Sequence, residues 1–462
     1  MDQNASNMST ESSNSNAVSV ILTACVMSAF MIYLVFTKNF VFGSAAGHWF
    51  FQYFNTPAKI PVWTPWVVFL LLGLSIFLGS KFIHSHEKIT LLICFLMTLF
   101  IQIAIHQIDP VPLAAIITSD GANSFYSPAM QYSAVDVLAK FNELVPSFPL
   151  HARSNMPGKI LLFEFLKIFT SSPTVMGFLI IILSSLGGVL LYMIAMRLFH
   201  DKQIAFYSLI LYALIPCKII FFPLLNTVTP LFILLCFYLF LVYIEKKQFW
   251  IAWLLGCSFY ILILFEPIPL VTGIIFLGVL LHALSTGQFA KKDFWNLIIH
   301  SGLAFLALYI IFSVFLSFNL FQVFLYVVKD ATNFNLTSQR PYEIWVGENI
   351  KEFSFGVGVP IMVIFIYMAS KIFSQWKNLK NRTFWSLENI FVISILITCC
   401  TVALLGVSRG EATRIWIYLA VFFQIPTAVF MAKIAKGEFL FFCVAGILAI
   451  QSIIALHLVK FI

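Results

Sequence analysis

The sequence predicts an all-α protein that crosses a membrane many times, and three observations predict it. Of 462 residues, 61% are hydrophobic and 10% charged, against roughly 25% charged in an ordinary soluble domain, and the mean hydropathy is +0.97. Apolar runs near membrane-crossing length recur along the whole chain. The Lys and Arg residues fall in ones and twos in the short connections between those runs, as topology signals do.

Taken in order, residues 1–16 are a polar Ser/Asn-rich tail, expected to be disordered and cytoplasmic. The first apolar run has no basic segment before it and no small-residue cleavage site, so it reads as a retained helix. Apolar segments then span about 17–37, 62–80, 89–106, 173–198, 203–222, 228–244, 249–265, 267–285, 297–317, 354–373, 388–407, 413–432 and 438–459. The expected architecture is one polytopic helical domain, 17–462, with about 13 spans and two long outer loops, 107–172 and 318–353, carrying short helices. The 52 Phe residues are lipid-compatible filler.

Alternate connections carry Lys81/Lys88, Arg197/Lys202, Lys246/Lys247, Lys291/Lys292, Lys371/Lys377/Lys380/Arg382 and Lys433/Lys436. Short basic loops lie inside, so the intervening connections face outward. Most carboxylates fall on that outer side. The net charge of +8 is scattered, with no basic stripe for nucleic acid. The eight cysteines sit in or at the ends of apolar runs without metal or redox spacing, as small buried hydrophobes do. No repeat period and no matched pair of broken helices marks an inverted-repeat transporter, and the charges gather at span ends.

The informative polar residues lie in the outward loops. "SDGANSFYSPA" carries Asp120, which reads either as a loop carboxylate or as a general base for a hydroxyl. Asp109, followed by proline just after a span, is the rival base, with a turn role favoured. The stretch from Ser127 to Phe141 reads as one short helix. "HARSNMPG" packs His151, Arg153 and Asn155, followed by Lys159, at the entrance of an amphipathic helix too short to span. Such an entrance suits a phosphate, because its N–H groups are unpaired. "QRPYEIWVGEN" joins Arg340 to Tyr342, Trp345 and Asn349, either a sugar-stacking platform or an interface belt. "RGEATRIW" sets Arg409, Glu411 and Arg414 at the outer end of an apolar helix, with Glu411 and Arg414 at pairing distance i,i+3. Two arginines at a helix start fit a phosphate or pyrophosphate. Glu266, between a span and two prolines, is placed to orient a site arginine. Asn335 begins a glycosylation sequon, "NLT", on the outer side.

These residues make the chain resemble the C-type (GT-C) membrane glycosyltransferases. The match is carried by the Asp of "SDGANSFYSPA", by "HARSNMPG" ahead of a short amphipathic helix, and by "RGEATRIW" opening a late span. The resemblance implies a GT-C-like fold with the catalytic Asp on the outer face and a polyprenyl-phosphate sugar donor held by arginines. It implies transfer to a hydroxyl on a glycan, lipid or protein, usually with inversion, and neither a resident cofactor nor a metal. Carried over, Asp120 is the base and Arg409 and Arg414 are donor-phosphate ligands. His151, Asn155 and Lys159 are further contacts. One departure stands out: two extra runs, 62–80 and 89–106, precede the Asp. The alternatives are a glycan polymerase or ligase with a pyrophosphate-linked donor, and a lipid or solute transporter. The expected location is a multi-pass position in a bacterial inner membrane, with the site facing outward.

Overall fold

The computed structural model describes residues 2–375, 377 and 382–462. Lys380, one of the residues behind the topology assignment, lies outside the described residues, as does the side chain of Arg382. Among the described residues, eleven helices are long and apolar enough to cross a membrane. They are Asn16–Phe36, Trp63–Phe82, Glu87–His106, Pro173–Phe199, Lys202–Ile220, Leu225–Lys246, Ile268–Ser285, Lys291–Leu316, Leu387–Leu405, Ile417–Ala435 and Glu438–Leu458. The pair Tyr342–Val357 and Val359–Ser374, bent by 110°, passes the same test together and makes the number up to 12. Phe249–Phe265 is apolar but only 17 residues long, about 26 Å at 1.5 Å per residue. Every apolar segment expected from the sequence falls on one of these helices. The polar tail expected to be disordered lies in the N-terminal part of the helix Asp2–Phe36.

The core follows from composition. A helix apolar on all sides belongs at the centre of a bundle. Ile417–Phe430 is such a helix, and all 14 of its residues are buried. It packs on Lys202–Ala213, Thr229–Lys246, Val359–Ser374 and Leu387–Leu405. Lys291–Leu316 is the opposite case. Only 11% of its apolar window is buried: Ile298, Leu303, Leu306, Ile310 and Phe315 are exposed, as on a lipid-facing side, while Phe305 and Phe312 pack on Tyr260. The two extra runs form an antiparallel hairpin, Trp63–Phe82 against Glu87–His106, packed on Glu438–Leu458 and Lys202–Ala213.

The connections sort to two ends. At one end, short basic links are cross-tied: Lys202 to Glu87 (2.8 Å), Lys247 to Asp293 (3.3 Å), Arg197 to Glu245 and Lys433 to Glu388. The long loops meet at the other end. Phe249–Phe265 runs from Lys247 at the first end to Glu266 at the second, so it traverses the bundle as well.

The loop 107–172 is a folded layer of six short α-helices and one 3-10 turn, Val145–Ser147, from Leu113–Thr118 to Gly158–Lys167. It has its own apolar core, in which Phe125, Phe141, Met156 and Phe163 pack on Tyr260, Leu264, Phe318 and Val323. One helix was expected from Ser127 to Phe141; the structure has two breaks there, giving Tyr126–Gln131, Ala134–Ala139 and Phe141–Leu144. Ser133 causes the first break. Its hydroxyl accepts the Asp136 N–H (3.1 Å) and donates to the Asp136 carboxylate (2.6 Å), so it caps a new helix. The loop 318–353 holds Leu320–Thr337 and the start of Tyr342–Val357. The connection 37–62, which carried no sequence signal, forms a small antiparallel ladder, Gly43–Ser44 with Trp49–Phe50. Its Gln52–Tyr53 pairs with Val459–Lys460 near the C-terminus.

Candidate functional site

At the loop-bearing end a cavity of about 150 Å³ opens between five segments. His151, Asn155 and Lys159 come from the first long loop, Asn226 and Glu266 from two span ends. Arg340 and Asn335 come from the second long loop, and Arg409, Glu411 and Arg414 from the "RGEATRIW" turn. The three sequence elements that were far apart in the chain therefore share one site.

The "RGEATRIW" turn is built from backbone upward. Gly410 has φ +90° and Glu411 φ +59°, both in the left-handed region. A side chain at Gly410 would come within 3.0 Å of the Trp345 ring and 3.1 Å of the Arg340 guanidinium, so only glycine fits. Glu411 adopts a conformation that costs a non-glycine residue about 1 kcal/mol. It gains from pairing with Arg414 and Arg340, the latter at 3.7 Å. Asn349 holds the turn from beneath, donating to the Ser408 carbonyl (2.7 Å) and accepting the Gly410 N–H (3.1 Å). Arg340 donates to the Arg409 carbonyl (2.5 Å) and Arg409 to the Arg340 carbonyl (2.8 Å). This reciprocal clasp locks the two loops together.

That arrangement decides between the two readings of "QRPYEIW". Trp345 is 1% exposed; its indole N–H donates to Gly47 (3.1 Å), and with Trp49 and Phe334 it surrounds the Arg340 guanidinium. The Tyr342 hydroxyl donates to Leu404 (2.6 Å) and its ring lies under Arg409. These aromatics are spent on holding arginines, so the sugar-stacking platform is not there. The sequon is likewise closed. Asn335 is 6% exposed and donates to the Val407 carbonyl (2.8 Å).

In the first loop, His151, Asn155 and Lys159 are spaced by four and converge, whereas Arg153 does not line the cavity. Its neighbour Ser154 donates to Asp330 (2.5 Å). Asn155 donates to the His151 carbonyl (2.8 Å) and accepts from Lys159 (3.2 Å). The helix entrance itself is filled, because Gly158 packs so closely that a side chain there would lie 2.4 Å from the Leu264 carbonyl oxygen. Lys159 is 1% exposed and pairs with Glu266 at 3.1 Å. Glu266 also accepts from Thr229 (2.5 Å) and, more loosely, Asn226 (3.5 Å). The expectation that Glu266 orients an arginine is thus corrected: its cation is Lys159, the basic side chain the first loop delivers to the end of the span.

Burial sets the electrostatics. It lowers the His151 imidazole to about 4, helped by Arg414 and Lys159 and opposed by Glu411 and the Gly121 backbone. Burial alone would raise Glu411, but Arg414, His151 and Arg340 outweigh it and hold it below the ordinary carboxylate range. Burial lowers Lys159 from its ordinary value, while Glu266 opposes the shift. With His151 neutral, Lys159, Arg340, Arg409 and Arg414 stand against Glu266 and Glu411, a surplus of two positive charges. The Arg414 Nε is buried and has no hydrogen-bond partner. A partly closed, cationic cavity with donors unspent suits an anion.

The two carboxylates proposed as bases lie elsewhere. Asp120 is exposed and accepts from Ser127 (2.5 Å); it does not line the cavity, although Ala122 does. Its loop is tied to the site through Ser124, which donates to the Asp120 carbonyl (2.5 Å) and accepts the His151 N–H (3.2 Å). Asp109 accepts the Val111 N–H (2.9 Å) in a turn and lines a separate cavity with His106 and Phe178. Burial raises its carboxyl to about 6.

Fold and composition thus define a multi-pass, all-α integral membrane protein with a cationic cavity at one end. No known protein-family profile matches the chain, and no curated protein matches it in sequence. One solved structure it is similar to is an oligosaccharyltransferase of Archaeoglobus fulgidus, at 15% identity and a TM-score of 0.44, over 78% of this chain and 52% of that one. The chain therefore spans about half the length of that enzyme.

Proposed function

We propose that the protein is a GT-C-like membrane glycosyltransferase that moves a sugar from a polyprenyl-phosphate carrier to a hydroxyl acceptor on the outer face of the membrane. One observation carries the reading: Arg340, Arg409 and Arg414 meet His151 and Lys159 around one cavity at the end of the bundle opposite the short basic links. On this reading the arginines hold the donor phosphate. The acceptor oxygen attacks the anomeric carbon, the bond from that carbon to the phosphate oxygen breaks, and the phosphate leaves with its electrons into the cationic wall. Asp120, outside the cavity but on the loop that Ser124 ties to His151, is the proposed acceptor of that proton. The arginines supply the positive charge, so the reaction asks for no divalent metal. The location is a bacterial inner membrane.

The charge balance favours a second reading. A phosphodiester sugar carries one negative charge and a pyrophosphate-linked donor carries two, which equals the surplus in the cavity. Neither carboxylate that lines the cavity is free of a cation, as suits a polymerase or ligase that relies on Arg and His. The experiment is to supply the detergent-purified protein with labelled monophosphate- or pyrophosphate-linked lipid sugars and to follow sugar transfer. Turnover of the monophosphate donor supports the first reading and turnover of the pyrophosphate donor alone the second. No turnover of either, with lipid translocation in vesicles, rejects both in favour of transport.

A further inference from the structure

We infer that Glu266, Asn226, Asn155 and Lys159 form a sugar-hydroxyl subsite beside the arginine wall; the inference rests on the glycosyltransferase reading and names the part of the donor this wall receives.

Arginine offers only donors, which suits a phosphate, all of whose outer oxygens accept. A sugar hydroxyl donates and accepts at once, so its site needs both kinds of group without a large net charge. The second wall has that composition. Lys159 and Glu266 cancel each other's charge at 3.1 Å. Lys159 spends its amine on Asn155 and Glu266, leaving one of three N–H groups. Glu266 Oε2 is engaged by Lys159 and Thr229, whereas Oε1 has only the 3.5 Å contact to Asn226. Among the described residues the Asn226 amide oxygen accepts no hydrogen bond. All four residues line the cavity, and their spare groups are one ammonium donor, amide donors, an amide acceptor and a carboxylate oxygen.

The wall is also rigid. Glu266 caps the end of the span Phe249–Phe265, and Thr229, which fixes it, opens the helix Thr229–Lys246. Phe125 and Phe265 flank the Lys159 ammonium at 5.4 and 5.8 Å. Groups held this way lose little freedom when a ligand arrives. Arg414 lines the same cavity of about 150 Å³ as Glu266, Asn226, Asn155 and Lys159. A phosphate on Arg414 would thus have its sugar next to Glu266.

The test uses four short-chain lipids: farnesyl phosphate and the farnesyl-phosphate hexoses of gluco, galacto and manno configuration. Each is titrated into the full-length protein in detergent. Wild type should bind one of the three sugared lipids more tightly than the other two. Asn226→Ala should weaken that lipid roughly five- to ten-fold, the scale of one or two hydrogen bonds, and leave farnesyl phosphate unchanged. Glu266→Gln should change which hexose is preferred; because it breaks a buried ion pair, Asn226→Ala, which leaves that pair intact, is the deciding variant. Equal weakening of both lipids, or no change with the sugared one, overturns the subsite while leaving the glycosyltransferase reading standing. A wild-type protein that binds neither lipid overturns both.

Discussion

Removing the Lys159 ammonium puts a number on the cavity's buried ion pair. In Lys159→Met the stem still fills its place between Phe125 and Phe265, but Glu266 keeps only Thr229 and Asn226 as partners. A buried carboxylate left without its cation typically costs about 3–5 kcal/mol. An orphaned carboxylate can escape part of that by taking a proton. From an ordinary unfolded glutamate value near about 4.3, protonation costs about 3.7 kcal/mol at pH 7 and about 1 kcal/mol at pH 5. The loss is therefore capped near 3–4 kcal/mol at pH 7 and shrinks toward about 1 kcal/mol at pH 5. The sign is that of a carboxyl raised in the folded state, whose penalty grows as pH rises. Thermal unfolding in detergent at both pH values, followed by tryptophan fluorescence and by loss of the monodisperse peak, measures it. Adding Glu266→Gln should recover most of the loss at pH 7. A variant as stable as wild type at pH 7, or one equally destabilised at both pH values, would refute the buried-pair argument.

Further outcomes follow from the same geometry. Arg153→Ala should change sugar transfer by less than about two-fold, since Arg153 does not line the cavity, and initial rates under matched protein check it. His151, lowered to about 4 from an ordinary 6.5, stays neutral when the unfolded chain is protonated. Its contribution is complete above about pH 6.5 and is lost as pH falls toward 4, by up to about 3 kcal/mol. His151→Gln should flatten that acid limb in a pH series of melting temperatures. Asp109→Asn should keep the turn, because the amide oxygen still accepts from Val111. It relieves a carboxyl raised to about 6 and so should stabilise the protein above that pH by about 1–2 kcal/mol after allowance for partial exposure. Its transfer rate should match wild type, and a large loss would make Asp109 the base.

Much of the architecture was legible because a membrane simplifies the code. Hydropathy marked the spans, and charge density in short links sorted the connections to two ends. That sorting put "HARSNMPG" and "RGEATRIW" on one side, where the cavity joins them. Arg153 was grouped with His151, Asn155 and Lys159 on sequence proximity, although only the latter three share a four-residue spacing and line the cavity. Partners were not legible. Nothing local to Glu266 says that its cation sits 107 positions earlier, at Lys159. Asn226 lies in an apolar stretch that offers no motif. Trp345 and Asn349 looked like ligand groups because surface aromatics and amides often are. Their burial under the Arg409–Glu411 turn depends on the segment around Gly47 and Trp49, which has no periodicity to announce it. The distance from Asp120 to the cavity is likewise set by tertiary packing, which turn chemistry does not encode.

The proposed function requires the arginines of this cavity to hold the phosphate of a lipid-linked sugar during its transfer. The most direct measurement is the initial rate of sugar transfer from a labelled polyprenyl-phosphate donor by purified wild type and Arg414→Ala, at equal amounts of monodisperse protein. Losing charge-assisted hydrogen bonds worth about 1.5–3 kcal/mol predicts a fall of roughly ten- to a hundred-fold or more, with Arg414→Lys intermediate. A wild-type rate in Arg414→Ala would contradict the claim.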